Sequence, residues 1–270
     1  MLSFANAKIN LGLHVVHKRS DGYHDLETIF YPVKIYDAVE ITPSKSGEIT
    51  FHSDGIPIPG HGANLCEKAY KLLKQDFDIP AVTIHLIKQI PIGAGLGGGS
   101  ADAAFVLKML NETFNLDITT TQLQLYAKQL GADCPFFIEN KPVYATGIGT
   151  DFSPIDLDLS TYYMVLINPN IHIATAEAYR GVQVRKSEFD LKSITQLPIQ
   201  EWKYYLKNDF EEGIFEQFPK IKKLKEALYT SGALFASMSG SGSSVYGLFE
   251  KPIVLDHLKE FGDIYYPIDL

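Results

Sequence analysis

The segment Pro91–Ala104 reads PIGAGLGGGSADAA and holds five glycines before it turns into good helix formers. Glycine loses more conformational freedom on folding than any other residue. Such a cluster is costly unless the backbone must adopt shapes, or admit neighbours, that a Cβ would forbid. A flexible linker would be polar throughout, and the flanks here are not. Upstream, Val82, Ile84 and Leu86 alternate with Thr83, His85 and Ile87 as in a strand. Downstream, Ala103, Val106, Leu107, Leu110 and Phe114 recur at helical spacing on one face. Strand, glycine loop and helix N-terminus make a ready anion site, because free N–H groups and the helix dipole both favour phosphate. The other reading is a purely structural tight turn.

Two common phosphate loops do not fit. The Walker pattern requires Lys and then Ser or Thr after its last glycine, whereas Gly99 is followed by Ser100 and Ala101. Gly93, Gly95 and Gly98 do satisfy G-x-G-x-x-G, but a dinucleotide unit needs a second parallel strand after the helix, with an acidic residue near its end. Here the helix leads to Asn115–Thr120 and then a second helix, with Leu123, Tyr126, Ala127 and Leu130 on one face and Gly131 at its end. That order speaks against an oxidoreductase.

Elsewhere the first half mixes strands and helices. Ala5, Ala7, Ile9, Leu11, Leu13 and Val15 share one face of a strand, opposite Asn6, Lys8, Asn10, Gly12 and His14. Further strands are expected at 26–33, 38–42, 48–52, 143–146 and 162–167. Asn64 with Glu67 three residues on predicts a capped helix start. The second half has an element at 202–210, a helix near 221–229, a strand at 244–248 and a last helix around 254–261. Asp151–Ser160 is the expected joint, dividing the chain into 1–157 and 158–270. Strands and helices do not alternate regularly, so the expected class is α+β.

With 270 residues the chain can bury a large core and is near the size at which one core becomes two. A net charge of −8 argues against nucleic acid or an anionic membrane as the main partner, so an anionic ligand needs a local positive site. Cys66 and Cys134 belong to no metal-spaced cluster, and no H-E-x-x-H or similar histidine pair occurs. The start of the chain lacks a basic-then-apolar leader, and no apolar run is long enough to span a bilayer. The expectation is a cytoplasmic protein.

Lys8 taken alone reads as a solvated lysine on a half-exposed strand, and Asp133, just past a helix end, as a turn former. Considered with the loop they form a set. Phosphoryl transfer needs a cradle for phosphates, a cation to steady their charge and a carboxylate for the acceptor hydroxyl.

At this point the chain resembles the GHMP kinases (galactose, homoserine, mevalonate and phosphomevalonate kinases). Ala5–Leu11 is similar to the family's first motif, Pro91–Ala104 to its central one and Met238–Ser244, with Gly240 and Gly242, to its third. Arg19–His24 and Leu130–Pro135 resemble a branch that acts on a cytidyl diphosphate alcohol. The resemblance implies an N-terminal ribosomal-protein-S5-like domain, a C-terminal ferredoxin-like domain and an active site in the cleft. It implies ATP with Mg²⁺, no tightly bound prosthetic group, and a monomer or weak homodimer. ATP phosphates would lie on Pro91, Ile92, Gly93, Ala94, Gly95, Leu96, Gly97, Gly98, Gly99, Ser100 and Ala101, with the base reached from Asn64 and Leu65. Ser100 is the implied metal ligand. Asp133 would accept or orient the proton of a tertiary hydroxyl, with Lys8 steadying it and the phosphoryl oxygens. Asn10, Tyr23, His24, Thr175 and Tyr179 would bind the cytidyl substrate, Tyr23 and Tyr179 on the faces of the base and His24 on its edge. The alternatives are another kinase of the family and a nucleotide-dependent sensor without turnover.

Overall fold

The computed structural model describes residues 1–44, 46–60, 62–187 and 189–268. The chain opens with two long strands, β1 (Leu2–Lys18) and β2 (His24–Pro43), then β3 (Thr50–Gly55), α1 (Leu65–Asp76) and β4 (Val82–Lys88). Next come α2 (Gly98–Phe114), α3 (Thr120–Leu130), α4 (Phe136–Glu139), β5 (Val143–Thr146) and β6 (Asp151–Pro154). The remainder is β7 (Tyr163–Asn168), α5 (Thr175–Arg180), α6 (Trp202–Tyr205), α7 (Phe210–Gln217), α8 (Pro219–Thr230), β8 (Phe235–Met238), β9 (Val245–Phe249) and β10 (Asp263–Tyr265). The class is α+β.

A six-stranded sheet has the order β3-β4-β2-β5-β6, with β1 paired to β2, and a four-stranded sheet has the order β10-β7-β9-β8. β3 and β4 are parallel, and α1 supplies the crossover that parallel neighbours require. Two compact units draw on separate stretches of chain. One contains Met1–Ala7, Lys34–Ile92 and Gly97–Lys141, the other Lys8–Val33, Gly93–Leu96 and Pro142–Leu270.

In the first unit α2 packs against α1, α3 and α4. Its residues Ala101 to Leu107 are all buried, so it is enclosed on several sides rather than along one stripe. α1 and α3 both begin with complete capping boxes, Asn64 with Glu67 and Thr119 with Gln122, each worth about 1 kcal/mol. Gly131 ends α3 as expected but in an extended conformation, at φ 173°. In the second unit Val165, Ile167, Met238 and Val245 form a core with Phe210, Ile214, Leu224 and Leu228 from α7 and α8.

Three expected elements differ. The strands at 26–33 and 38–42 are one strand, β2, because residues 34–37 continue the alternation with Ile35 and Asp37 inward. The element at 202–210 is broken: α6 stops at Tyr205, and Lys207–Asp209 runs along β1, with the Leu13 N–H donating to the Lys207 carbonyl and the Asp209 N–H to the Leu13 carbonyl. The helix around 254–261 is a single 3-10 turn at Asp256–Leu258, enough to bury Leu255 and Leu258 together.

Candidate phosphate-transfer site

The glycine segment leaves β4 and enters α2. Gly93, Gly95 and Gly97 have φ of 65°, 80° and 69°, left-handed values that L side chains resist. Gly97 caps α2 and no side chain caps it in turn, nor is there an acidic residue in the first turn. Its leading N–H groups therefore keep the anion-binding capacity that α1 and α3 spend on their own side chains.

The middle of the segment is clamped by the second glycine loop. Ser239 Oγ donates to the Gly95 carbonyl at 2.8 Å, and the Ser244 N–H donates to the Ala94 carbonyl at 3.2 Å. A Cβ on Gly95 would lie 1.9 Å from the Ser239 oxygen. The Ser239–Ser244 loop is held in turn by Asn208, whose Nδ2 donates to the carbonyls of Met238 and Gly240 at 2.9 and 2.8 Å. On the other side the Lys8 N–H donates to the Leu96 carbonyl at 2.9 Å. The first, central and third motifs thus meet at three backbone residues, Ala94 to Leu96.

Lys8 is buried, at 4% exposure, so it is not the solvated lysine of an open strand face. Its ammonium donates to Asn10 Oδ1 at 2.7 Å and lies 4.8 Å from the centre of the Phe30 ring. Asn10 Nδ2 donates onward to Thr28 Oγ1, whose hydroxyl donates to the Gly12 carbonyl. This chain fixes the rotamers of Lys8 and Asn10, and Tyr246 anchors their strand by donating to the Asn10 carbonyl at 2.8 Å.

Asp133 lies half-buried in the turn between α3 and α4. The next residue packs that turn near the start of α2. Cys134 Sγ and Ser100 Oγ are 3.3 and 3.8 Å from where a Gly131 Cβ would stand. Burial pushes the Cys134 thiol up to about 11, which keeps it neutral and inert. Asn64 spends its side chain on the cap, accepting from the Cys66 N–H at 2.8 Å. Leu65 Cδ1 is 3.8 Å from the position a Gly99 Cβ would take, so the starts of α1 and α2 adjoin. Gly99 meets nothing else within 4 Å.

The residues expected to hold a base lie in the second unit. His24 and Tyr179 are stacked, with ring centres 4.7 Å apart and planes at 19°, and Tyr179 meets the Phe210 ring edge-on at 4.9 Å. Burial, with Lys18 nearby, lowers the His24 pKa from its ordinary value and favours the neutral ring. Tyr23 is 63% exposed, in a turn braced by Arg19, which pairs with Asp21 and Asp25. Thr175 Oγ1 is 3.5 Å from Ser241 Oγ of the second glycine loop.

Sequence reasoning missed a buried network beneath the loop. Lys88 Nζ donates to Asp37 and, at 2.8 Å, to Asp102 in the first turns of α2. Asp37 also accepts the N–H groups of Gln89 and Ile90 at 2.5 and 2.8 Å. A Cβ on Gly98 would lie 2.9 Å from Lys88 Nζ. The available signal was Asp37 itself, an acid on the inward face between Ile35 and Val39. Burial, opposed by Lys88 and aided by Asp37, pushes the Asp102 carboxyl up to about 8. A carboxyl whose folded pKa lies above its unfolded value of about 4 binds its proton more tightly when folded. Its contribution to stability is complete below that unfolded value and is lost as pH rises through about 8. Wild-type protein should lose stability between pH 6 and 9 by up to about 1.4 kcal/mol per unit, and Asp102→Asn should flatten that decline. Denaturant titrations across this range decide; parallel curves would place the proton elsewhere.

Among the described residues no group of three or more His, Cys, Asp or Glu is placed to hold a metal, and no helix is long and apolar enough to cross a membrane.

Comparison with known proteins matches this geometry to a family. Residues 64–141 match the GHMP kinases N terminal domain and residues 197–265 the GHMP kinases C terminal domain. The chain is 54% identical over 254 residues to 4-diphosphocytidyl-2-C-methyl-D-erythritol kinase of Azobacteroides pseudotrichonymphae genomovar. CFP2, covering 93% of this chain and 94% of that one. A crystal structure of 4-(cytidine 5'-diphospho)-2C-methyl-D-erythritol kinase superposes with a TM-score of 0.83 at 32% identity, covering 98% of both chains. Methanococcus jannaschii mevalonate kinase, at 16% identity and a TM-score of 0.71, shares the fold over 98% of this chain and 97% of its own.

Proposed function

Because the chain belongs to the GHMP kinases and has their two-domain α+β fold, an ATP-dependent small-molecule kinase, we propose that it phosphorylates the tertiary 2-hydroxyl of 4-diphosphocytidyl-2-C-methyl-D-erythritol, in the non-mevalonate route to isoprenoid precursors. The observation that carries the reading is the convergence on Ala94–Leu96, where Ser239, Ser244 and Lys8 hold one short backbone stretch. A loop held so closely, leading into an uncapped helix, is preorganised for phosphates and needs no rearrangement as charge moves.

In this reading Gly93–Ser100 and the start of α2 cradle the ATP phosphates, and Asn64–Leu65 borders the base. Mg²⁺ enters with ATP as part of the substrate, and Ser100 offers it a hydroxyl. Asp133 receives or orients the proton of the acceptor hydroxyl, while Lys8, positioned by Asn10, opposes the charge on the transferring oxygens. A tertiary hydroxyl is a hindered nucleophile, so placement contributes more than basicity. Residues 1–157 would carry ATP and 158–270 complete the substrate side, in a cytoplasmic enzyme. Direct assay decides: ATP turnover with the cytidyl alcohol should exceed that with homoserine, mevalonate or galactose, and turnover of one of those instead would move the chain to another branch.

The cytosine end makes a separate prediction. Base–aromatic stacking contributes roughly 1–3 kcal/mol, so Tyr179→Ala should raise KM for the cytidyl substrate about 10- to 100-fold and leave that for ATP unchanged. In this reading His24 turns its edge to the base when the base takes its place on Tyr179. His24→Ala should then narrow the preference for cytidyl over uridyl substrate, whereas Tyr179→Ala weakens both equally. An unaltered cytidyl-to-uridyl ratio in His24→Ala would assign cytosine recognition to other groups.

A further inference from the structure

β1 carries a buried pair for which the kinase reading has no use. His14 and Asp209 are 6% and 9% exposed. His14 Nδ1 faces Asp209 Oδ1 at 3.4 Å, and Asp209 Oδ2 accepts the Val15 N–H at 2.8 Å. The other ring nitrogen, Nε2, is buried and has no hydrogen-bond partner among the described residues. With the Nδ1 proton turned to the carboxylate, Nε2 is an acceptor without a donor, which calls for an explanation in a folded protein.

His14 and Asp209 line a cavity of about 580 Å³, shared with Arg185, Lys186, Lys207, Tyr204 and Tyr205. That volume is ordinary for a small-molecule site. Three cations around one cavity run against the chain's net charge of −8. The one acid that lines it is already engaged by His14 and Val15. Tyr204 and Tyr205 are 67% and 40% exposed, adjacent aromatic surface that is usually covered by something. The backbone around the cavity is fixed, since the Arg185 N–H donates to the Val15 carbonyl and the Lys207 carbonyl accepts from Leu13.

We propose that this cavity is a second ligand site, for a small phosphomonoester carried on a flat ring that bears a hydrogen-bond donor. The arginine and lysines take the phosphate, the tyrosines cover the ring and His14 Nε2 accepts from its donor. The test titrates 4-aminophenyl phosphate calorimetrically into the full chain saturated with a non-hydrolysable ATP analogue. One saturable site is expected, weakened about tenfold or more by the exposed-residue double variant Arg185→Ala with Lys207→Ala. Gly99→Val, which obstructs the phosphate loop, should leave it intact. Phenyl phosphate, lacking the amino donor, should bind more weakly to wild type, and His14→Phe should abolish that difference. No saturable binding overturns the proposal, as does loss of binding in Gly99→Val, which would put the probe in the glycine loop. Equal affinity for the two phosphates on wild-type protein overturns the role of His14 even if His14→Phe does not fold.

Discussion

Asp133→Asn should fold and melt like the wild type and turn over about 10²–10⁴-fold more slowly, the usual contribution of a positioned acid–base group. The substitution keeps the size of the side chain and removes only its charge and basicity. Lys8→Met should lose turnover on the same scale, since it keeps the bulk beside Phe30 while removing the ammonium that donates to Asn10. Methionine is the better probe than alanine, because Lys8 is buried and alanine would add a cavity. Turnover and thermal melting of the same preparations separate two explanations. Near wild-type turnover in Asp133→Asn would remove Asp133 from the chemistry. A turn-forming aspartate predicts the reverse pattern, a lower Tm with specific activity intact.

The glycine segment predicts opposite outcomes at positions four residues apart. Gly95→Ala should cost about 3 kcal/mol or more, from a left-handed backbone and a forced displacement of the Ser239 carbonyl, lowering Tm by roughly 6–12 °C. Gly99→Val should leave stability almost unchanged, since only Leu65 approaches its Cβ position, and helix propensity shifts by less than about 1 kcal/mol. It should nevertheless weaken ATP binding tenfold or more, because its side chain fills space the phosphates need. Calorimetry of the folded Gly99→Val protein discriminates: unchanged ATP affinity would make the segment a structural turn and nothing else.

Much of this was legible because it is local. The Asn64–Glu67 capping box, the alternation of β4 and the helical spacing after Gly99 are each decided within a few residues, and the structure has all three. What escaped depends on distant partners. Asp37 looks like a break in β2 until Lys88, fifty-one positions on, neutralises it. Asn208 looks like helix interior until its amide is seen gripping the carbonyls of Met238 and Gly240. Lys8 reads as solvated because its own strand cannot reveal that Asn10, Phe30 and Leu96 enclose it. The 254–261 segment failed for a different reason, since apolar residues three apart satisfy a single turn as well as a helix.

The order of strands around β4 bears on how this chain is built and how it can be cut. β4 lies within the N-terminal family domain, residues 64–141, yet it pairs with β3 on one side and β2 on the other, both encoded upstream. A polypeptide beginning at residue 64 would carry Val82, Ile84 and Leu86 on a strand with both edges open, the arrangement that recruits neighbouring chains into aggregates. A nascent chain meets the opposite order: β2 and β3 are synthesised first and wait for α1 and β4 to close the sheet between them. The stretch most diagnostic of the family is therefore the insert that completes a sheet, and it inherits its solubility from the residues before it.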